Sequence, residues 1–115
     1  YWKSFAEKNQ VTLETIDLNF SNTLYFDLII NATSSFLTNQ HSPLPEHALN
    51  CLNDEGVCYD MMYGSQTPFM KEAYKKTDLV YDGLGMLVEQ AAVSFSIWYQ
   101  LAPTTENIGT ALKNL

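Results

Sequence analysis

Apolar residues spaced by threes and fours through the second half of the chain set the strongest limit on what it can fold into. Ala73, Val80, Leu84, Leu87, Ala91, Phe95, Trp98 and Leu101 recur at helical intervals. The start signal is sharp: Thr67 is a good N-cap, Pro68 suits the first helical position and Glu72 lies in the first turns. The run cannot continue as one rod. The "YDGLG" stretch from Tyr81 to Gly85 carries two glycines, each costing about 1 kcal/mol relative to alanine, so the pattern predicts a break there and two helices. Ser42-Pro43 and Glu46 precede a short helical piece reaching Leu52. Thr104 or Thr105 caps a last helix with Ile108, Leu112 and Leu115 inward.

The first forty residues support two readings. In "VTLETIDLNFSNTLYFDLIINATS", Ile16, Leu18 and Phe20, then Leu24, Phe26, Leu28 and Ile30, alternate with polar residues. That is a strand pattern with Ser21-Asn22 as a turn. Leu13, Ile16, Phe20, Leu24 and Leu28 also step by threes and fours, as in a helix. "VSFSIWYQL" from Val93 alternates too. The expected fold is therefore mainly α, a small helical bundle with one intrachain disulfide loop. The alternative is a mixed α+β domain or β-sandwich with a hairpin from residues 11–33.

At 115 residues the chain reads as a single globular domain spanning 1–115, with 46% hydrophobic residues to build a core. Its opening on Tyr1-Trp2-Lys3, without methionine, reads as a mature or excised fragment. The net charge is −7 and there is no arginine. A chain without guanidinium groups is poorly equipped to read bases or clamp phosphates, and its acidity repels polyanions. Nucleic-acid binding is excluded on these grounds. No stretch is long and apolar enough to span a bilayer, so a membrane enters only through a parent chain.

Both histidines and both cysteines fall within "HSPLPEHALNCLNDEGVC". His47 and Cys51 would share a helix face, and His41 and Cys58 would complete a four-ligand zinc site. The spacing lacks the tight cysteine knuckle of structural zinc sites, so no metal is expected. The preferred reading is a Cys51–Cys58 disulfide. The "NDEG" segment from Asn53 to Gly56 is a strong turn signal that would fold the chain back and bring the sulfurs together. With Asp60 the same acids resemble a calcium loop, but without EF-hand spacing they read as a solvated turn.

Two sequons, Asn19-Phe20-Ser21 and Asn31-Ala32-Thr33, mark Asn19 and Asn31 as candidate glycosylation sites. Sequons, cysteine pair and a charged content of only 17% together favour an extracellular or lumenal compartment. No nucleophile elbow or glycine-rich phosphate loop is present, so neither catalysis nor a cofactor is expected. Trp98, Tyr99, Tyr63 and Met62 are the candidate contact residues for a small apolar ligand or a protein partner. The function expected is an extracellular recognition domain, such as a receptor ectodomain. A secreted carrier of an apolar ligand, or an effector, is the alternative.

Overall fold

Three short apolar runs, each followed or closed by Asn or Asp, pair side by side at the centre of the molecule. A computed structural model describes residues 2–20, 24–38 and 41–113. The elements are α1 (Trp2–Lys8), β1 (Phe26–Asn31), α2 (Ser35–Thr38), α3 (Glu46–Leu49), β2 (Leu52–Asp60), α4 (Pro68–Ala73), β3 (Val80–Tyr81), α5 (Leu84–Tyr99) and α6 (Ile108–Lys113). The strands form one sheet in the order β1-β2-β3, and both pairings are parallel. Parallel neighbours need long crossovers, and helices supply them: α2 and α3 between β1 and β2, α4 between β2 and β3.

This architecture overturns the expected helical bundle; the chain is mixed α/β with a parallel sheet. The hairpin alternative fails as well. Residues 11–20 form no strand, and the Ser21-Asn22 turn lies outside the described residues. β1 finds its partner through backbone pairing with a strand more than twenty residues away. "VSFSIWYQL" lies mostly in α5. The break at Tyr81–Gly85 exists, but the segment before it is a strand: Val80 and Tyr81 pair with Cys58 and Tyr59. The Thr67 start holds in detail, with the Thr67 hydroxyl accepting from Met70 N–H at 3.2 Å. Leu115 lies outside the described residues.

The register explains why no disulfide forms. Phe26 pairs with Leu52, Leu28 with Val57 and Ile29 with Cys58. "NDEG" bends the strand into a bulge, and the chain then resumes in the same direction. Three steps along β1 separate the partners of Leu52 and Cys58, about 10 Å of sheet, beyond the roughly 7 Å Cα limit for a bridge. Both cysteines are free and buried, and Cys51 Sγ donates to the His47 carbonyl at 3.4 Å. Reductant is therefore expected to leave the melting temperature unchanged.

Burial pushes the Cys58 thiol above its ordinary value of 9.0. As pH rises through 9.0 toward the raised value, the unfolded chain ionises there while the folded one does not, so stability falls. Cys58→Ala should flatten that decline in a series of thermal melts; a decline of unchanged steepness would assign it to other groups.

One face of the sheet holds the core: Leu49, Cys58, Phe69, Met70, Ala73 and Val80, with Ile29, Leu44 and Leu52 packed against them. The other face is open. Leu28 and Ile30 are 51% and 53% exposed, whereas parallel sheets are normally covered on both sides. The total surface is 8934 Å², against about 6,300 Å² for a compact monomer of this mass. Leu28 and Ile30 thus leave an apolar strip on the uncovered face of the sheet.

Candidate active site

In open parallel sheets, ligands bind beyond the carboxyl ends of the strands. Here those ends are Asn31, Asp60 and Tyr81-Asp82, and the loops that leave them converge. Asn31 and Asp60 are 4% and 0% exposed. Buried polar groups of this kind require partners, and they have them. Asp60 Oδ1 accepts from Asn31 Nδ2 at 3.2 Å and from Met62 N–H at 3.0 Å; Oδ2 accepts from Thr67 Oγ1 at 2.5 Å. Asn31 Oδ1 accepts from the backbone N–H and the hydroxyl of Thr33, which fixes the turn leaving β1. Met61 N–H reaches the Asn31 carbonyl at 3.0 Å. A typical hydrogen bond contributes about 0.5–1.5 kcal/mol, so this network of several bonds joins two strand ends and the start of α4.

The third strand end is joined by contact. Gly83 N–H donates to the Met62 carbonyl at 2.9 Å. A Cβ at position 83 would stand 2.2 Å from the Met61 oxygen and 2.7 Å from its carbonyl carbon. Only glycine lets the start of α5 lie on the loop after β2. Asp82 Oδ1 accepts from Leu84 N–H at 3.2 Å, and the Gly83 carbonyl accepts from Leu87 N–H at 3.0 Å, so α5 begins at the strand ends.

Between these loops lies a cleft of about 660 Å³ lined by Tyr63, Gly64, Ser65, Gln66, Met70, Tyr74, Asp82, Leu84, Leu87 and Leu112. An adjoining hollow of about 380 Å³ shares Met70, Tyr74 and Asp82 with it and extends over Tyr59, Val80, Tyr81 and Gly85. The lining combines phenols, amide and carboxyl groups with aliphatic walls, the mix of apolar surface and a few placed polar groups typical of a small-molecule site. A second groove of about 280 Å³, between α5 and α6, is lined by apolar side chains such as Val88, Ala91 and Phe95 and has no group able to do chemistry.

Of the four candidate contact residues, Tyr63 lines the cleft and Met62 holds its floor through the carbonyl. Trp98 and Tyr99 are 75% and 63% exposed at the far end of α5. That helix has 16 residues, about 24 Å at helical rise, so they do not join the site. Asn31 is buried with its amide bonded to Asp60, which closes it to a glycan in the folded chain, whereas Asn19 is exposed. Among the described residues no group of three or more His, Cys, Asp or Glu is placed to hold a metal ion. His47 stacks edge-on against Phe20, its Nε2 buried without a partner, while Cys58 sits in the sheet. Asp60 belongs to the strand ends rather than to the "NDEG" bulge.

The comparisons with known proteins bear on the same region. The sequence profile described as "Shikimate 5'-dehydrogenase C-terminal domain" matches residues 83–106, the segment that begins at Gly83. A shikimate dehydrogenase (NADP(+)) of Methylobacillus flagellatus is 47% identical over 89 residues, 76% of this chain and 32% of that protein. Shikimate 5-dehydrogenase from Thermus thermophilus, solved with NADP(H) and shikimate, superposes with a TM-score of 0.70 at 29% identity, over 97% of this chain and 41% of that one. The ligand-free 5-ketofructose reductase of a Gluconobacter strain superposes with a TM-score of 0.59 at 33% identity, over 76% of this chain and 32% of that one. The chain spans about a third of the length of the curated relatives it matches.

These similarities overturn the expectation of a non-catalytic extracellular domain, whether receptor ectodomain or secreted carrier. The relatives are named as dehydrogenases and reductases. The extracellular reading fails with the disulfide on which it rested, since both cysteines are free. No helix among the described residues is long and apolar enough to cross a membrane.

Proposed function

We propose that this chain is the carboxyl-terminal part of an NADP(+)-dependent oxidoreductase. Its cleft at the strand ends forms one wall of the site where hydride passes between a hydroxylated substrate and the nicotinamide. More specifically, the protein is a shikimate dehydrogenase. The observation that carries this reading is the 47% identity over three-quarters of the chain, falling on a parallel sheet whose carboxyl ends carry the cleft.

The cofactor is only partly provided for. The cleft offers polar side chains and an exposed glycine surface at Gly85, which fit a flat amide-bearing ring. The chain has no arginine and no glycine-rich phosphate loop, so the pyrophosphate and any further phosphate belong to other parts of the longer protein. When bound, the cofactor supplies the hydride acceptor; this chain orients the ring and screens it from water. The isolated 115 residues are expected to bind NADP(+) no tighter than about 1 mM by calorimetry, and micromolar binding would show a phosphate site within them.

The parent protein is expected to form NADPH from NADP(+) and shikimate. The similarity to 5-ketofructose reductase supplies the competing substrate, so the same preparation should be tested for NADPH-dependent reduction of 5-ketofructose. Turnover of the ketosugar alone would reassign the substrate while keeping the class; turnover of neither would remove the proposal.

A further inference from the structure

We infer that Asp60 is a positioning residue that aims Tyr63 into the cleft by clamping both ends of the loop that carries it. The inference rests on the proposed function for the identity of the substrate, but its geometry is independent of it. Asp60 is fully buried, so it cannot touch a ligand in the open cleft. Besides Asn31 Nδ2 at the end of β1, what it touches is the loop. One carboxyl oxygen holds Met62 N–H and the other holds the Thr67 hydroxyl, the first and last parts of the segment 61–67. Met62 is gripped again through its carbonyl by Gly83 N–H.

Between these clamps no further hydrogen bond holds the loop. Among the described residues Tyr63, Gly64, Ser65 and Gln66 make no hydrogen bond, and Gly64 turns at φ +84. Tyr63 is 48% exposed and faces the cleft. Its direction therefore follows the backbone of Met62, which Asp60 holds at the N–H and Gly83 at the carbonyl. A buried carboxyl group without a cation is costly to keep unless every oxygen is bonded. Here the bonds that satisfy it are the ones that shape the site wall.

The test uses the full-length protein with Asp60→Asn, Tyr63→Phe and the double variant. Asp60→Asn keeps the shape but turns one acceptor into a donor facing Thr67. It should raise KM for shikimate about tenfold and change kcat less than about threefold, because a misaimed binding group costs ground-state and transition-state affinity alike. In the Tyr63→Phe background the same change should add less than about twofold, since coupled residues are non-additive. Losses that multiply in full would overturn the inference.

If Asp60→Asn fails to fold, Thr67→Val removes one clamp and should raise KM about threefold, again only when Tyr63 is intact. A second readout needs no turnover: 3-fluorotyrosine at position 63, followed by fluorine NMR. The clamp variants should shift its resonance toward the free amino acid position and narrow it. An unchanged resonance would overturn the inference even if the substrate proves to be something other than shikimate.

Discussion

Gly83→Ala should abolish most of the activity of the parent protein, by on the order of a hundredfold in kcat/KM, because displacements near 1 Å at a site cost that much. Gly83 has an ordinary backbone conformation, with φ −77 and ψ 2, so alanine would meet no torsional strain. The obstacle is contact alone. The new Cβ would lie 2.2 Å from the Met61 oxygen, and the Met61–Met62 backbone is tied to Asn31 and Asp60. Either α5 shifts off the strand ends or the Tyr63 loop does. The change should also cost on the order of 3 kcal/mol in stability, as overpacking against fixed backbone does. Gly109→Ala is the matched control, since a Cβ there meets nothing within 4 Å. Steady-state kinetics and thermal melts of both variants decide it; equal tolerance at the two positions would mean the loop and α5 do not meet as described.

Phe69→Ala should produce the largest loss of stability. Phe69 is 1% exposed and is the largest fully buried side chain of the core. Removing it costs about 3–5 kcal/mol in transfer and cavity terms, a fall in melting temperature on the order of 10 °C in a protein the length of the relatives. Phe69 sits in the first turn of α4, two residues beyond Thr67, so the clamp on Asp60 should loosen with it. Phe69→Leu should recover more than half of the lost stability. A loss under about 1 kcal/mol for the alanine variant would place the core elsewhere.

Much of the helical half could be read from residue types. Thr67-Pro68 begins a helix because hydroxyl and ring satisfy the first turn locally, and that needs no tertiary knowledge. The sheet was far less legible. β2 is interrupted by a bulge at "NDEG", so its alternation is lost, and β3 is only two residues long. The register that joins Ile29 to Cys58 and Cys58 to Val80 is a long-range choice that no local pattern carries. The same bulge misled the disulfide reading: a turn signal was present, but it kinks a strand instead of reversing it.

The site was visible only in parts, each with another meaning. Asn31 was a sequon, Asp60 one acid among several, Thr67 a helix cap, and Gly83 a helix breaker. A usable signal did exist. "LIIN", "VCYD" and "LVYD" are apolar runs that each stop on Asn or Asp, as buried parallel strands do where they emerge into loops. Three such endings in one chain point to a common edge. The open sheet face, with Leu28 and Ile30 exposed, could not be foreseen, because alternation along a strand does not say which of its two faces the fold leaves uncovered.

Amide shift mapping shows where on the chain the ligands bind. The full-length protein, isotope-labelled, would be titrated with shikimate in the presence of NADPH, a pair that are both reduced and cannot turn over. The largest perturbations are expected at Asn31, Met62–Gly64 and Gly83–Gly85, around the carboxyl ends of the strands. Perturbations confined to the far end of α5, around Trp98 and Tyr99, would contradict a site at the strand ends.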